Sequence, residues 1–291
     1  MYEYLTYNVQ PWGWEIPLYF FLIGTAAMSF ALAAAPAVLG GAARVLEPFQ
    51  KLGMFLALAL LVVCGPLLIV DLGQPGRFLY PIIYFHWTSP LSWGSLFLPL
   101  FGLAIVGFLY ALYTGRDQWL RPIGIIGGLL ALSMPLYTGL DLMVNQAREL
   151  WSNPTIPMLF VILSVSSGTA LAAVALLLTG ALDERLTATL RGILYASVGA
   201  TLALFLAFWV VFMYGSEEIQ HAWALINSQY GFRFWGLTLV LGIILPLALL
   251  AAPRLGRDSR AVALAGVLAA VGAYTFREVI IHAGQLPMAY Y

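Results

Sequence analysis

The sequence predicts an all-α integral membrane protein of about eight transmembrane helices. Charged residues make up 9% of the chain and apolar ones 62%, with a mean hydropathy of +0.91. Ordinary soluble proteins carry roughly 25% charged residues. A chain of 291 residues in water has no core large enough to hide that much apolar surface, so lipid must be the solvent for much of it. Runs of about 20 apolar residues, the length that crosses a bilayer core, recur along the chain. Basic residues gather in alternate loops, which gives the bundle a direction.

The spans fall at 15–39, 51–72, 91–114, 123–144, 156–180, 192–214, 232–253 and 261–282. The first carries Ala27, Ala31 and Ala35 at four-residue spacing, and the fourth carries Gly124 and Gly128. Both patterns suit close helix packing. Pro36, Pro66, Pro99, Pro135 and Pro246 sit within or beside spans. Membrane helices tolerate proline where neighbouring groups satisfy the freed carbonyls. The fifth and sixth spans are rich in small and hydroxylated residues, and the last closes on Arg277, Glu278 and His282.

Loops after spans one, three, five and seven hold Arg44, Lys51, Arg116, Arg121, Arg185, Arg191, Arg254, Arg257 and Arg260. The opposite loops hold only Arg77, Arg148 and Arg233. The richer side is expected to face the cytoplasm, with both termini extracytoplasmic. Met1 to Pro17 has no basic leader, so no cleaved signal peptide is expected. The outer connections 73–90 and 215–231 are long and aromatic, with Tyr80, Tyr84, Phe85, Trp87 and Trp223 among their residues and Trp93 just beyond. They suit an interfacial belt or a platform for a partner protein.

Zero net charge offers no sign of a nucleic-acid partner. The lone Cys64 excludes internal disulfides and any iron–sulfur cluster held by this chain alone. His86 and His221 fall between spans and His282 near the end of the last, so paired haem ligands at membrane depth are lacking and no haem or metal is expected.

Ionisable residues at membrane depth are functional candidates, and here they lie on the outer side: Glu15, Asp71, Asp141, Arg277, Glu278 and His282. The inner halves offer mainly hydroxyls, such as Ser29, Ser133, Tyr195, Ser197 and Thr201. Helical spacing puts Trp12, Glu15 and Tyr19 on one face, Tyr137, Asp141 and Asn145 on another, and Glu278 and His282 on a third. If these faces converge, they form a polar pocket roofed by the 73–90 connection. A quinone head needs aromatic walls, hydrogen-bond donors for its carbonyls and a nearby proton exchanger. The candidate quinone contacts are Trp12, Tyr19, Tyr137, Asp141 and His86, and the candidate proton exchangers are Glu15, Asp71, Asp141 and Glu278. Structural readings compete. Asp71 and Arg77 suit a loop ion pair, Arg277 and Glu278 suit interhelical pairing, Glu15 suits a solvated first turn, and His86 suits an interfacial loop.

The segments DLGQPGRF (71–78), SPLSWGSL (89–96) and YTGLDLMVNQARELWSNPTIPMLF (137–160) resemble the NrfD/PsrC family. WGWEIPLYFFLIG (12–24) and REVIIHAGQ (277–285) fit the same pattern, so the resemblance runs from about residue 12 to 285. It implies one transmembrane domain over 1–291, arguable as two four-helix bundles, in the cytoplasmic membrane of a bacterium or archaeon. It also implies a menaquinone or ubiquinone bound as substrate near the outer surface, with no redox cofactor held by this chain. The implied partners are a four-cluster ferredoxin-like iron–sulfur subunit and a molybdopterin catalytic subunit or multihaem cytochrome. The family's fourth-helix quinone tyrosine matches Tyr137. Its first-helix Asn/His pair falls on Ile16 and Tyr19, which leaves Glu15 as the candidate proton-handling group. The bare inner halves predict an electroneutral exchange on the outer side. A transporter module and a bare membrane anchor are the rival readings.

Overall fold

The computed structural model describes residues 12–71, 74–146 and 148–285, and its regular structure is helical throughout. Eight helices are long and apolar enough to cross a membrane. In chain order the helices are α1 (Glu15–Leu39), α2 (Gln50–Asp71), the short α3 (Tyr80–Ile83), α4 (Pro90–Thr114), α5 (Asp117–Met143) and α6 (Thr155–Leu178). There follow α7 (Glu184–Tyr214), α8 (Glu217–Gly231), a π-helical stretch Phe232–Ile244, α9 (Leu245–Ala251) and α10 (Ser259–Ala283). Leu72, the expected end of the second span, and Gly73, which opens the roof segment, lie outside the described residues.

Local chemistry sets the helix ends. Ser89 accepts a hydrogen bond from the Ser92 amide and Pro90 occupies the first turn of α4, where a missing N–H costs nothing. That helix stops at Gly115, whose φ of 66° is the left-handed conformation glycine adopts freely. Asp183 caps α7 through the Leu186 amide at 2.7 Å, and Asp258 caps α10. Both α5 and α7 begin several residues before the apolar runs that predicted them. Their first turns carry Asp117 and Arg121, or Glu184, Arg185 and Arg191. Charge ends a hydropathy signal without ending a helix.

The 215–231 connection is not an irregular loop. Ser216 accepts from the Ile219 amide, and α8 runs without a break into the π-helical stretch and α9. One element spanning Ile219–Ala251 therefore has the length and apolarity to cross the membrane. Long π-helical runs are rare. Here the wide turn brings Gly242 against Gly272 of α10, where an added Cβ would lie 2.4 Å from the Gly272 Cα.

The α1 helix is central. It packs on α2 and α5, on α6, and more lightly on α10, while α10 also lies against α6 and the π-helical stretch. The expected Gly124/Gly128 face is corrected to Gly124/Gly127. A Cβ on Gly124 would meet Val38 at 2.6 Å and one on Gly127 would meet Phe30 at 2.3 Å, whereas Gly128 faces open space. Likewise Ala26, Ala27, Ala33 and Ala34 are the deeply buried alanines of α1, while Ala31 and Ala35 are half-buried. Three residues approximate a helical turn as well as four do, and the sequence pattern alone does not separate them.

Candidate functional site: a tyrosine-paired cavity

A cavity of ≈ 380 Å³ opens where α1, α2, α4 and α5 meet beneath the α3 segment. Trp12, Ile16, Tyr19 and Phe20 line it from the start of α1, and Leu68 and Asp71 from the end of α2. Phe78, Pro81, Leu91 and Ser95 form the roof and one wall, and Tyr137 and Asp141 of α5 complete it. Helical spacing places these side chains. Ile16, Tyr19 and Phe20 share the α1 face turned toward α2 and α5, and Tyr137 and Asp141 are one turn apart on α5.

The hydroxyls of Tyr19 and Tyr137, 118 residues apart in the chain, hydrogen-bond each other at the buried end of the cavity. One phenol donates to the other, so the pair has a single O–H left to offer a ligand. Gly94 of α4 makes room for this arrangement. A Cβ there would lie 2.3–2.7 Å from Cε2, Cδ2 and Cζ of Tyr137. The Ser95 hydroxyl turns back to the Leu91 carbonyl at 2.8 Å and is already satisfied.

Asp71 and Asp141 bring carboxylates into the cavity, and among the described residues neither forms an ion pair. The Asn145 amide group, expected on the same face as Asp141, donates at 2.7 Å to the Asp141 backbone carbonyl, not to its carboxylate. The Asp71–Arg77 ion pair allowed by the sequence does not form. Arg77 is exposed and lies over the Tyr80 ring, 5.7 Å from its centre. Glu15 is outside the lining. Its carboxylate folds over Gly13 at the rim, close enough to Asp71 for the two charges to interact. His86 also lies outside the lining, its ring near the Thr88 hydroxyl at 3.4 Å.

The last helix does not join this cavity. Its three ionisable residues go in separate directions. Glu278 pairs with Arg233 at 2.7 Å. His282 reaches the Gly13 carbonyl at 3.2 Å. Arg277 is fully buried, donating at 2.8 Å to the carbonyls of Ala273 and Phe160 and to the Ser164 hydroxyl. Its guanidinium also lies 5.0 Å from the centre of the Phe160 ring, which packs edge-on against Phe20 of the cavity wall. The interhelical role is thus filled by carbonyls of α6 and α10 for Arg277 and by an ion pair for Glu278.

Two further devices hold the rim. Gln285 clamps the backbone of Trp12, accepting from its amide at 2.8 Å and donating to its carbonyl at 3.0 Å. Trp12 stacks on Trp151 at 5.2 Å, and the Trp151 indole donates to the Ile280 carbonyl at 2.8 Å. Sequence reasoning misses Gln285, Trp151 and Gly94 as site residues. All three stand inside family-like segments, but a glycine's use and a backbone clamp show only once the partner is placed. Among the described residues no three His, Cys, Asp or Glu side chains converge on a metal-sized site.

The fold and cavity define a polytopic helical membrane protein with a polar, tyrosine-paired cavity near one end of its bundle. The chain belongs to the family described as polysulphide reductase, NrfD, whose model matches residues 4–289. It is 29% identical to a putative dimethyl sulfoxide reductase membrane protein of Halobacterium salinarum, over 91% of this chain and 67% of that one. It is 26% identical to protein NrfD of Escherichia coli K12, over 96% of each chain. With the Hdr-like menaquinol oxidoreductase integral membrane subunit of Archaeoglobus fulgidus it shares 23% identity over 96% of this chain and 72% of that one.

Proposed function

We propose that this chain is the membrane subunit of a respiratory oxidoreductase and exchanges electrons with the quinone pool at the Tyr19–Tyr137 cavity. The carrying observation is the arrangement of one free phenolic donor and two carboxylates without cations within aromatic and aliphatic walls. A quinone presents carbonyl oxygens that accept a phenol hydrogen and, on reduction, hydroxyls that give protons to carboxylates. An apolar groove of ≈ 290 Å³ between α2 and α4 shares Leu68, Phe78 and Ser95 with the cavity and continues past Gly65, Pro99 and Gly102. Such a groove suits an isoprenoid tail and not a small hydrophilic solute, which favours a quinone over a transported ion. The names of relatives agree, since they include a menaquinol oxidoreductase subunit and a polysulfide reductase component.

In the oxidative direction, Tyr137 or Tyr19 orients one ring oxygen of the bound quinol. Two protons pass to Asp141 and Asp71, with Glu15 at the rim as the exit to solution, and two electrons leave to an extracytoplasmic iron–sulfur subunit. A four-cluster ferredoxin-like protein, followed by a molybdopterin subunit or a multihaem cytochrome, fits that role. The termini then face the outside. The exchange is electroneutral, because buried hydroxyls below the cavity turn back onto their own helices. Ser164 donates to Phe160, Thr169 to Val165 and Thr201 to Ser197, which leaves no free run of donors toward the other side among the described residues.

Purification of the chain from native membranes in mild detergent tests the assembly. Iron, sulfide and retained quinone in the same particle are the expected result. A colourless, metal-free and quinone-free protein would favour a transporter. An assembled complex that keeps full quinol activity after Tyr137→Phe and Asp141→Asn would make this chain a bare anchor.

A further inference from the structure

The opposite end of the bundle carries a second polar concavity. It lies between the first turns of α7 and the connection from α9 to α10, with a volume of ≈ 340 Å³. Its charged lining is Arg185, Arg191, Arg257 and Glu184, with Thr187 and Gly256 beside them. Arg191 is built into place. Its Nε donates at 2.9 Å to the Leu250 carbonyl, in the last turn of α9. Only a glycine leaves room for this, since a Cβ on Gly256 would lie 2.8 Å from that Nε. The terminal nitrogens of Arg191 have no hydrogen-bond partner among the described residues, and the Arg185 and Arg257 guanidiniums have none either.

The aspartates that flank these arginines are committed elsewhere. Asp183 is spent on the Leu186 amide at 2.7 Å, and Asp258 on the amides of Arg260 and Ala261 at 3.4 and 3.3 Å. Glu184 offsets one of the three positive charges, so the concavity remains cationic. Converging guanidinium forks match the oxygens of a phosphate. Where such a pocket sits between the ends of transmembrane helices, the phosphate at hand is that of an anionic lipid.

We propose that this cavity binds a phosphate group, supplied by an anionic phospholipid of the surrounding leaflet. Arg191 is the fixed donor, and Arg185 and Arg257 close on the headgroup from the two elements, tying the start of α7 to the α9–α10 connection. The site is independent of the quinone cavity.

The test titrates the delipidated full chain with phosphatidylglycerol, phosphatidylcholine of the same acyl chains, and inorganic phosphate, reading bound lipid by native mass spectrometry and thermal shift. Wild type should prefer phosphatidylglycerol. The R185Q/R257Q double variant should weaken that binding by roughly 5-fold per arginine removed and leave phosphatidylcholine unchanged. Neither side chain has a partner within the described residues, so folding is not at stake. Raised salt on wild type gives a second reading and should reproduce the loss. Equal binding of the two lipids, or binding untouched by both the double variant and salt, overturns the proposal. Inorganic phosphate binding as tightly as phosphatidylglycerol overturns the lipid as its source.

Discussion

Replacing Gly94 by alanine tests whether the tyrosine pair is positioned by its neighbours. The new methyl would meet the Tyr137 ring at 2.3–2.7 Å, where ordinary contact begins at 3.4 Å. The ring must therefore shift by roughly 1 Å. It cannot rotate freely, because Tyr19 holds its hydroxyl on the far side. Overpacking of this kind costs about 1–3 kcal/mol of stability. A misplacement of roughly 1 Å at reacting groups costs about 100-fold in rate. The assay is quinol oxidation by the purified complex with a water-soluble electron acceptor, separating kcat from KM. Gly94→Ala should lower kcat/KM by about that factor while the complex still assembles. Gly128→Ala, a methyl added where nothing lies within 4 Å, should change little. A Gly94→Ala complex with wild-type kinetics would refute the reasoning, since Tyr137 would then not need its present place.

Tyr137→Phe removes the inter-tyrosine hydrogen bond but keeps the ring, and should lower quinol turnover more than it lowers thermal stability, measured on the same preparation. Asp141→Asn keeps shape but removes a proton acceptor, so kcat should fall about 100-fold or more with little change in quinone retention on extraction. Arg277→Gln should lower thermal stability by about 1.5–3 kcal/mol, because hydrogen bonds from a buried charge to Ala273, Phe160 and Ser164 are lost. Glu278→Gln breaks a partly exposed pair with Arg233 and should cost under about 1 kcal/mol by the same thermal assay.

Much of the architecture was legible because lipid imposes a simple code. Apolar length alone located eight spans, and α1 runs Glu15–Leu39 as expected. The code fails where a helix leaves the hydrocarbon. The polar residues of α8, such as Gln220, His221 and Asn227, carry no hydropathy signal although they are helical. The site was legible in part. One-turn spacing put Tyr137 with Asp141, and both line the cavity with Trp12, Tyr19 and Asp71. The same rule placed Glu278 and His282 together, but spacing gives a face and not a neighbour. The 12–15 turn carries Glu15 outside the lining, and α10 turns Arg277 toward α6 and Glu278 toward Arg233. Gly94 shows the remaining limit, because an absent side chain matters only through what fills its space.

The most direct test of the central claim is photo-labelling of the native complex with an azido-substituted short-chain quinone, followed by peptide mapping. The account predicts label in the segments around 12–20 and 137–141, suppressed by excess unlabelled quinol and lost in Tyr137→Phe. Suppressible label confined to other helices, with none on these two segments, would contradict it.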